Sequence, residues 1–304
     1  MLPRSLIPLG NAGQCGARPR GGGGRGLALA LLLALGLGTP AASAHEVADW
    51  PNATSPSDPD VLDEVRLRVE GSKGNAVVVF DLDHTLYDNR PRTLQILLEF
   101  AASLPPEQVD LAERIGNMKV SDVHYRLAET LDHVGIQDEG IVNAATAFWV
   151  ERFFTDEYVR YDVPLPGAVR YVQELHAGGA FVVYMTGRAA PQFLVGTTAS
   201  LRRWGFPIGT PHTQLITKPD PKTDDLVFKA RAFRQIDRLG RVVAAFENEP
   251  GNLAAMAEHW RECVPVFLLT DFNPKHAGEK LPDRVRKVRD FTSAAPTGEG
   301  EGAR

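Results

Sequence analysis

Residues 76–86 read Ala-Val-Val-Val-Phe-Asp-Leu-Asp-His-Thr-Leu, and this stretch decides the fold class. The run from Ala76 to Phe80 is apolar throughout and rich in valine, which is typical of a parallel strand covered on both faces. It ends at Asp81, with Asp83 two residues later. Alternate residues of an extended chain share a face, so both carboxylates can address one site. The stretch therefore predicts a central strand with a polar site at its carboxyl end.

Further apolar runs follow along the chain and alternate with helical patterns. The predicted strands are Ala180–Met185, Gln214–Thr217, Val242–Phe246 and Val264–Leu269. The predicted helices are Gly167–His176, Pro191–Trp204, Thr223–Leu239 and Asn252–Trp260. Strands separated by helices imply right-handed crossovers and a parallel sheet. We predict an α/β fold with a Rossmann-like, doubly wound parallel sheet, built from 76–90 and 165–292.

The segment 91–164 interrupts this alternation directly after the first strand. Its apolar residues recur at helical spacing, as at Leu94, Leu97, Leu98 and Ala101. We therefore predict an inserted, all-helical cap. The segment also contains an aromatic cluster, which at this spacing is more often core than a ligand-binding surface: Phe148, Trp149, Phe153, Phe154, Tyr158 and Tyr161.

The first 44 residues are typical of a secretory signal peptide. They contain four arginines and no acidic residue, a short apolar run over 27–38, and the small residues Ala42-Ser43-Ala44. Twelve apolar residues are too few for a bilayer span, which needs about 20. We expect cleavage before His45 and export to the periplasm or the medium. After cleavage, 45–75 is predicted as a lead-in linker with a short helix, and 293–304 as a disordered tail.

Composition excludes some classes of function. The chain has 33 basic and 38 acidic residues, a net charge of -5, whereas a nucleic-acid-binding protein usually has a basic excess. Of the two cysteines, Cys15 lies in the predicted signal peptide. The exported chain would then keep only Cys263, which permits neither an intramolecular disulfide nor a cysteine-based zinc site.

Polar residues follow each of three predicted strands. They are Asp81, Asp83 and Thr85 after the first, Thr186, Gly187 and Arg188 after the second, and Glu247, Asn248 and Glu249 after the fourth. The carboxyl ends of parallel strands meet at one edge of the sheet, so these groups converge. Carboxylates, a hydroxyl and a nearby lysine suit phosphoryl transfer with Mg²⁺, because the cation neutralises the phosphate oxygens that repel an anionic nucleophile.

The segment Val-Val-Val-Phe-Asp81-Leu-Asp83-His-Thr85-Leu resembles the first motif of the haloacid dehalogenase (HAD) superfamily of phosphatases. Phe-Val-Val-Tyr-Met-Thr186-Gly-Arg is similar to the second motif, and the helical insertion lies where that family has its cap. The resemblance extends from residue 76 to about residue 271. It implies that Asp81 is the nucleophile and a metal ligand. It also implies that Asp83 is the general acid/base and binds the metal through its backbone carbonyl.

The resemblance implies roles for the other strand ends as well. Thr186 would hydrogen-bond the transferred phosphoryl group, with Gly187 beside it and Arg188 as a second phosphate contact or a salt-bridge residue. The third motif of the family is a lysine, for which Lys229 and Lys218 compete. Lys229 is favoured because it lies on the helix that precedes the fourth strand, 18 residues before Glu247.

The fourth motif departs from the family pattern, since Glu247 stands where the family usually has Asp. The metal ligand there is Glu247, Asn248 or both. His84, between two motif residues, is expected to point away from the site and to serve the structure.

The favoured function is a Mg²⁺-dependent phosphomonoester hydrolase that forms an aspartyl-phosphate and acts on a small phosphorylated metabolite. A dehalogenase would lack the second acidic residue, so Asp83 opposes that activity. An inactive or weakly active binding protein of the same fold is the remaining alternative, because of the altered fourth motif. No stable membrane insertion is expected after signal cleavage, and the sequence does not identify the substrate or the oligomeric state.

Overall fold

The computed structural model describes residues 55–276 and 278–292. The predicted signal peptide (1–44), the linker before Ser55 and the predicted tail (293–304) lie outside this range. None of the helices within it is long and apolar enough to cross a lipid bilayer.

The described residues form an alternating series of strands and helices. In chain order the strands are β1 (Ala76–Phe80), β2 (Tyr87–Asp88), β3 (Val163–Pro164), β4 (Phe181–Ala189), β5 (Thr213–Lys218), β6 (Arg241–Glu247), β7 (Val264–Leu268) and β8 (Arg286–Val288). The helices are α1 (Asp60–Gly71), α2 (Arg90–Ala102), α3 (Val109–Gly116), α4 (Leu127–His133), α5 (Glu139–Phe153), α6 (Ala168–Ala177), α7 (Ala190–Trp204), α8 (Asp225–Ile236) and α9 (Pro250–His259).

Six of these strands form one parallel sheet in the order β5-β4-β1-β6-β7-β8. The chain builds outward from β1 to β4 and β5, then returns to place β6 on the other side of β1. This is the doubly wound order, and its direction reverses between β1 and β6. In such sheets ligands bind at the carboxyl ends of the strands next to this reversal. The predicted Rossmann-like α/β class is confirmed.

Helices cover both faces of the sheet, which explains why β1 is apolar at every position. Val78 and Phe80 face one core together with α1 and α6. Val77 and Val79 face a second core together with α8 and α9. All five residues of β1 are buried. Alternate side chains of one strand therefore serve two separate cores.

The inserted segment is helical, with α2, α3, α4 and α5 and short 3₁₀ turns between them. It has its own apolar core, which includes Leu97, Phe100, Ile115 and Leu131. Where the chain leaves and re-enters the sheet domain, β2 and β3 pair in antiparallel fashion. The structure thus has the predicted all-helical cap, joined by a two-stranded connection that the sequence did not indicate.

Three elements differ from the prediction. β4 continues to Ala189 instead of ending at Met185, because it pairs with β5 as far as Lys218. α8 begins later than predicted, since the Asp224 carboxylate accepts a hydrogen bond from the Val227 N–H and caps the helix there. β8 was missed because its three residues include an arginine and a lysine and show no apolar run.

Candidate active site

Three neighbouring strands bring the predicted residues to one edge of the sheet. Asp81 follows β1, Thr186 lies near the end of β4, and Glu247 ends β6. The Asp81 N–H donates to the Phe246 carbonyl at 3.0 Å, which continues the pairing of β1 with β6 up to the carboxylates. All three residues are buried.

Lys229 on α8 lies between two of these carboxylates. Its Nζ is 2.7 Å from Asp81 Oδ1 and 2.6 Å from Glu247 Oε2, and its side chain is 3% exposed. Lys218, the competing candidate, instead pairs with Asp225 at 2.6 Å, at the rim of the site. The geometry therefore favours Lys229 as the lysine of the site.

Two buried carboxylates, those of Asp81 and Glu247, share the single ammonium group of Lys229. Burial, with the charge of Glu247 added, raises the pKa of Asp81 to about 8, although the Lys229 ammonium opposes this shift. Burial would lower the pKa of Lys229, but its two carboxylate partners outweigh that effect and raise it. Lys229 is therefore a fixed cation, and Asp81 and Glu247 compete for its charge.

Asp83 is held by a buried arginine. Arg188 Nε donates to Asp83 Oδ2 at 2.9 Å and Nη2 donates to Oδ1 at 2.8 Å, a bidentate pair, while Asn89 donates to Oδ1 at 2.7 Å. Burial would raise the pKa of Asp83, but the Arg188 charge and hydrogen bonds, with Arg92, outweigh it and lower the pKa. Asp83 is therefore an ionised base in this state, and it must gain a proton before it can act as an acid.

The Arg188 guanidinium is engaged by acceptors within the protein. Besides Asp83, it donates to Asp162 at 2.7 Å and to Thr197 at 3.1 Å. Asp162 also pairs with Arg92 of the cap, and its side chain is fully buried. Of the two roles expected for Arg188, the structure supports a salt bridge, though a buried one. No sequence pattern indicated Asp162, because its partners become neighbours only through the fold.

The remaining predicted residues are Thr186, Gly187 and His84, and they differ in their position relative to the cavity. Thr186 is buried and its hydroxyl accepts a hydrogen bond from the Arg188 N–H at 3.2 Å. Gly187 lines the cavity, and a Cβ there would collide with the Asp225 carboxylate. His84 also lines the cavity and has a φ of 56°, so the expectation that it points away from the site is wrong. The left-handed backbone at His84 removes the simple alternation on which that expectation depended.

Glu247 and Asn248, the residues of the fourth motif, both make hydrogen bonds within the protein. Glu247 Oε1 accepts from the Asn248 and Glu249 N–H groups at 3.1 and 3.0 Å, and Oε2 accepts from Lys229. Both of its oxygens are therefore engaged. Asn248 is fixed by the Thr85 hydroxyl, which donates to Oδ1 at 3.0 Å, and by the Asp271 carbonyl, which accepts from Nδ2 at 2.7 Å.

Glu249, to which the sequence assigned no role, presents an unsatisfied oxygen. Its Oε1 accepts from the Asn273 N–H at 2.9 Å, but Oε2 is buried without a hydrogen-bond partner in the described structure. Burial raises the pKa of Glu249. It lines the same cavity as Asp81 and Asn248. Its position directly after β6 was the only signal that could have identified it.

These oxygens fit a hard divalent cation. Among the described residues, no group of three or more His, Cys, Asp or Glu side chains is arranged to hold a metal ion. Mg²⁺, however, is usually bound by one or two carboxylates and keeps several waters. Asp81, Glu247, Asn248 and Glu249 all line the cavity and carry oxygens of this kind, so Glu249 joins Glu247 and Asn248 as a candidate ligand.

The site opens into a cavity of about 450 Å³ between the sheet edge and the cap. The sheet side contributes Asp81, Asp83, Lys229 and Glu249. Residues of the cap and of α7 contribute a second wall, which is largely apolar: Val123, Tyr125, Trp149, Phe153, Phe154 and Phe193. The volume lies within the usual range for sites that bind small molecules.

Comparisons with known proteins find likeness in structure only. No protein-family model and no curated protein matches the sequence. A class C acid phosphatase from Bacillus anthracis with tungstate bound matches with a TM-score of 0.37 and 18% identity, over 64% of this chain and 61% of that one. The chain thus spans less than two thirds of that protein.

Two further solved structures carry the family name that the sequence motifs resemble. A HAD-superfamily hydrolase of subfamily IA, variant 1, from Geobacter sulfurreducens PCA matches with a TM-score of 0.42 and 14% identity, over 72% of this chain and 93% of that one. A haloacid dehalogenase-like family protein from Streptococcus pneumoniae matches with a TM-score of 0.41 and 11% identity, over 71% and 94%. At these scores the matches identify no substrate.

Proposed function

We propose that the protein is a Mg²⁺-dependent phosphomonoester hydrolase that acts on a small phosphorylated metabolite through an aspartyl-phosphate at Asp81. The observation that carries the proposal is the position of Asp81. It lies at the reversal point of the sheet, 2.7 Å from the buried Lys229 ammonium, and lines a cavity of ligand size. A carboxylate beside a fixed cation is the arrangement that attack on a phosphate ester requires.

Mg²⁺, held by Asp81, Asn248 and Glu249, would neutralise phosphoryl oxygens and so reduce their repulsion of the nucleophile. Lys229 keeps Asp81 oriented and offers a positive charge to the phosphoryl group. Glu247 fixes Lys229 from the other side. Thr186 lies at the neighbouring strand end, where its hydroxyl can hydrogen-bond the same group.

The reaction divides into two balanced steps. An Asp81 carboxylate oxygen attacks phosphorus, the bond from phosphorus to the ester oxygen breaks, and the alkoxide leaving group takes a proton from Asp83. Asp83 then removes a proton from water, the water oxygen attacks phosphorus, and the acyl-phosphate bond breaks to release phosphate and free Asp81. The first step needs Asp83 protonated, whereas the Arg188 pair favours the ionised form used in the second.

The test is hydrolysis of p-nitrophenyl phosphate with Mg²⁺ by the wild-type protein and by Asp81→Asn. We expect turnover by the wild type and a loss of at least a thousandfold in the variant, since removing a covalent nucleophile leaves only binding and electrostatic catalysis. The matched control is Asp63→Asn, whose carboxylate is 61% exposed on α1 and should leave the rate unchanged. No turnover at several pH values and with several divalent metals would contradict the proposal.

One observation favours a non-catalytic binding protein as the second candidate. Asp83 is tied to Arg188 by two hydrogen bonds, and both oxygens of Glu247 are occupied. A binding protein would retain affinity for a phosphate monoester, with equal affinity before and after long incubation and no release of inorganic phosphate. Release of phosphate that depends on Asp81 excludes this candidate.

A further inference from the structure

The cavity has two walls of different chemistry. The sheet wall carries the charged groups of the site, whereas Trp149, Phe153 and Phe154 at the end of α5 line the cap side. Phe193 on α7 extends this surface. These four residues are called the aromatic wall below. The sequence placed the first three in a cluster interpreted as core. Trp149 both packs against the cap core and lines the cavity, whereas Phe153 and Phe154 line the cavity without joining that core. Phe148 of the same cluster does pack in the cap core.

The rings of the aromatic wall are held in place by one another. Trp149 and Phe153 stack with centroids 4.3 Å apart, and the Trp149 indole N–H donates to the Thr93 hydroxyl at 3.1 Å. Phe154 meets both rings nearly at right angles, at 5.5 and 5.1 Å, and contacts Phe193 edge-on at 6.3 Å. A surface fixed in this way is preorganised, so binding to it costs little ordering.

Phe154 remains 45% exposed, an unusual state for a phenylalanine that has three aromatic neighbours. Exposed apolar surface beside a polar cavity is unfavourable in water until a ligand covers it. The edges and faces of clustered rings prefer another ring, because their quadrupoles are complementary in edge-to-face and offset contacts. This preference separates a planar aromatic ligand from an aliphatic one of equal size.

Charge at the aromatic wall argues against a second anionic group there. Two arginines lie against it, Arg92 at 4.5 Å from the centre of the Phe153 ring and Arg188 at 5.9 Å from that of Phe193. Both are paired with Asp162, and Arg188 is also paired with Asp83. Gln192, next to Phe193, has a side-chain oxygen that is buried without a hydrogen-bond partner in the described residues. That oxygen would accept an N–H or O–H from a ligand. The wall therefore suits a neutral ring.

We propose that the aromatic wall binds a planar, uncharged aromatic ring in the alcohol part of the substrate. The substrate class is then a phosphate monoester whose alcohol carries such a ring close to the phosphate. This inference rests on the proposed phosphatase function for its reaction, but the binding preference stands separately.

The test compares 2-phenylethyl phosphate with 2-cyclohexylethyl phosphate. Both esters have primary alcohol leaving groups and six-membered rings, so they differ mainly in the aromaticity of the ring. We expect kcat/KM to be about tenfold higher for the phenyl ester, since clustered aromatic contacts are worth roughly a factor of 3 to 10. Phe154→Leu should remove most of this preference by raising KM for the phenyl ester. Phe148→Leu, on the same helix but in the cap core, should retain it.

Binding measured by calorimetry separates this inference from the proposed function. The probes are 3-phenylpropylphosphonate and 3-cyclohexylpropylphosphonate, which cannot be hydrolysed. If no ester is hydrolysed but the phenyl phosphonate binds about tenfold more tightly than the cyclohexyl phosphonate, the proposed phosphatase function is wrong. The inference that the aromatic wall prefers an aromatic ring is then still supported. Equal affinities for the two phosphonates, or a preference that Phe148→Leu reduces as much as Phe154→Leu, would overturn the inference.

Discussion

Lys229 is a buried cation whose two partners, Asp81 and Glu247, come from adjacent strands. In the proposed mechanism, its position lets Asp81 act as the nucleophile, since two carboxylates so close together could not both be ionised without it. The contact with Lys229 accounts for the presence of Glu instead of Asp at position 247. An Asp at that position would have a shorter side chain, and Glu reaches Lys229 while its other oxygen caps two backbone N–H groups.

Replacing Lys229 with methionine should affect both activity and stability. We expect activity to fall on the order of a hundredfold to a thousandfold, as when one electrostatic stabiliser of a transition state is lost. The free energy of unfolding should fall by about 3 kcal/mol, because two buried carboxylates lose their counter-ion. Lys218→Met is the control, since its ion pair with Asp225 lies at the rim and should contribute about 1 kcal/mol or less. Urea unfolding and steady-state rates measure the two effects.

The raised pKa of Asp81 predicts how cation binding depends on pH. With a pKa of about 8, Asp81 is mostly protonated at pH 6 and must release a proton to bind Mg²⁺. The apparent affinity for Mg²⁺ should therefore rise up to tenfold per pH unit below about 8 and level off above it. The stability of the metal-free fold changes in the opposite direction. Protonation of Asp81 in the folded state contributes stability that is fully present below the ordinary carboxyl pKa of 3.8 and is lost as pH rises through about 8.

Calorimetry in buffers of different ionisation enthalpy measures the proton release directly. Glu249→Gln should weaken Mg²⁺ binding at every pH by about tenfold or more, whereas Glu262→Gln, at an exposed position, should not. An affinity for Mg²⁺ that is independent of pH between 6 and 8 would contradict the assignment of Asp81 as a ligand.

At the scale of elements, ion pairs join the cap to the sheet domain. Asp162 lies directly before β3, where the chain returns from the cap, and binds both Arg92 on α2 and Arg188 on β4. Arg188 in turn holds Asp83. Asp162 thus connects the two ends of the cap insertion with Asp83, the proposed general acid and base.

Asp162→Asn should destabilise the protein strongly. Two buried arginines share this one carboxylate, so its loss should lower the free energy of unfolding by about 3–5 kcal/mol. Asp132→Asn, an exposed carboxylate in the cap, serves as the matched control and should change it by less than about 1 kcal/mol. Urea denaturation of both variants measures these changes in the free energy of unfolding. A change below 1 kcal/mol for Asp162→Asn would show that the network contributes no net stability.

The elements that the sequence predicted best are those whose signal is local. The apolar run of β1 identified the position of Asp81, and the spacing of Lys229 on the helix before β6 identified the lysine. Arg188 was placed on the correct strand, but its partner Asp162 lies 26 residues away and could not be inferred. Likewise, the turn of the chain at His84 and the orphan oxygen of Glu249 depend on side-chain packing that no periodic pattern records.

At the scale of the whole molecule, the cavity has one charged wall and one aromatic wall. The sheet domain contributes most of the charged side chains that line it, and the cap, with its separate core, contributes aromatic side chains. The proposed reaction type is therefore argued from the strand ends, and the proposed substrate class from the cap.

We also propose export, on the sequence of residues 1–44 alone. Processing should leave His45 as the first residue of the mature protein, because small residues precede it at the cleavage position. Mass spectrometry of the N-terminal peptide from protein secreted or released from the periplasm measures this. An intact N-terminus in protein that remains in the cytoplasm would contradict it.

The proposed mechanism requires a covalent bond between Asp81 and phosphorus. It is tested most directly by mixing the protein with p-nitrophenyl phosphate and Mg²⁺, quenching with acid, and reducing the product with borohydride, which converts an aspartyl-phosphate to homoserine. Asp83→Asn should accumulate the intermediate, because it lacks the base that activates water. Homoserine is expected at position 81, in the peptide that contains Phe80 and Leu82. Turnover by the wild type without any modification of Asp81, in either protein, would contradict it.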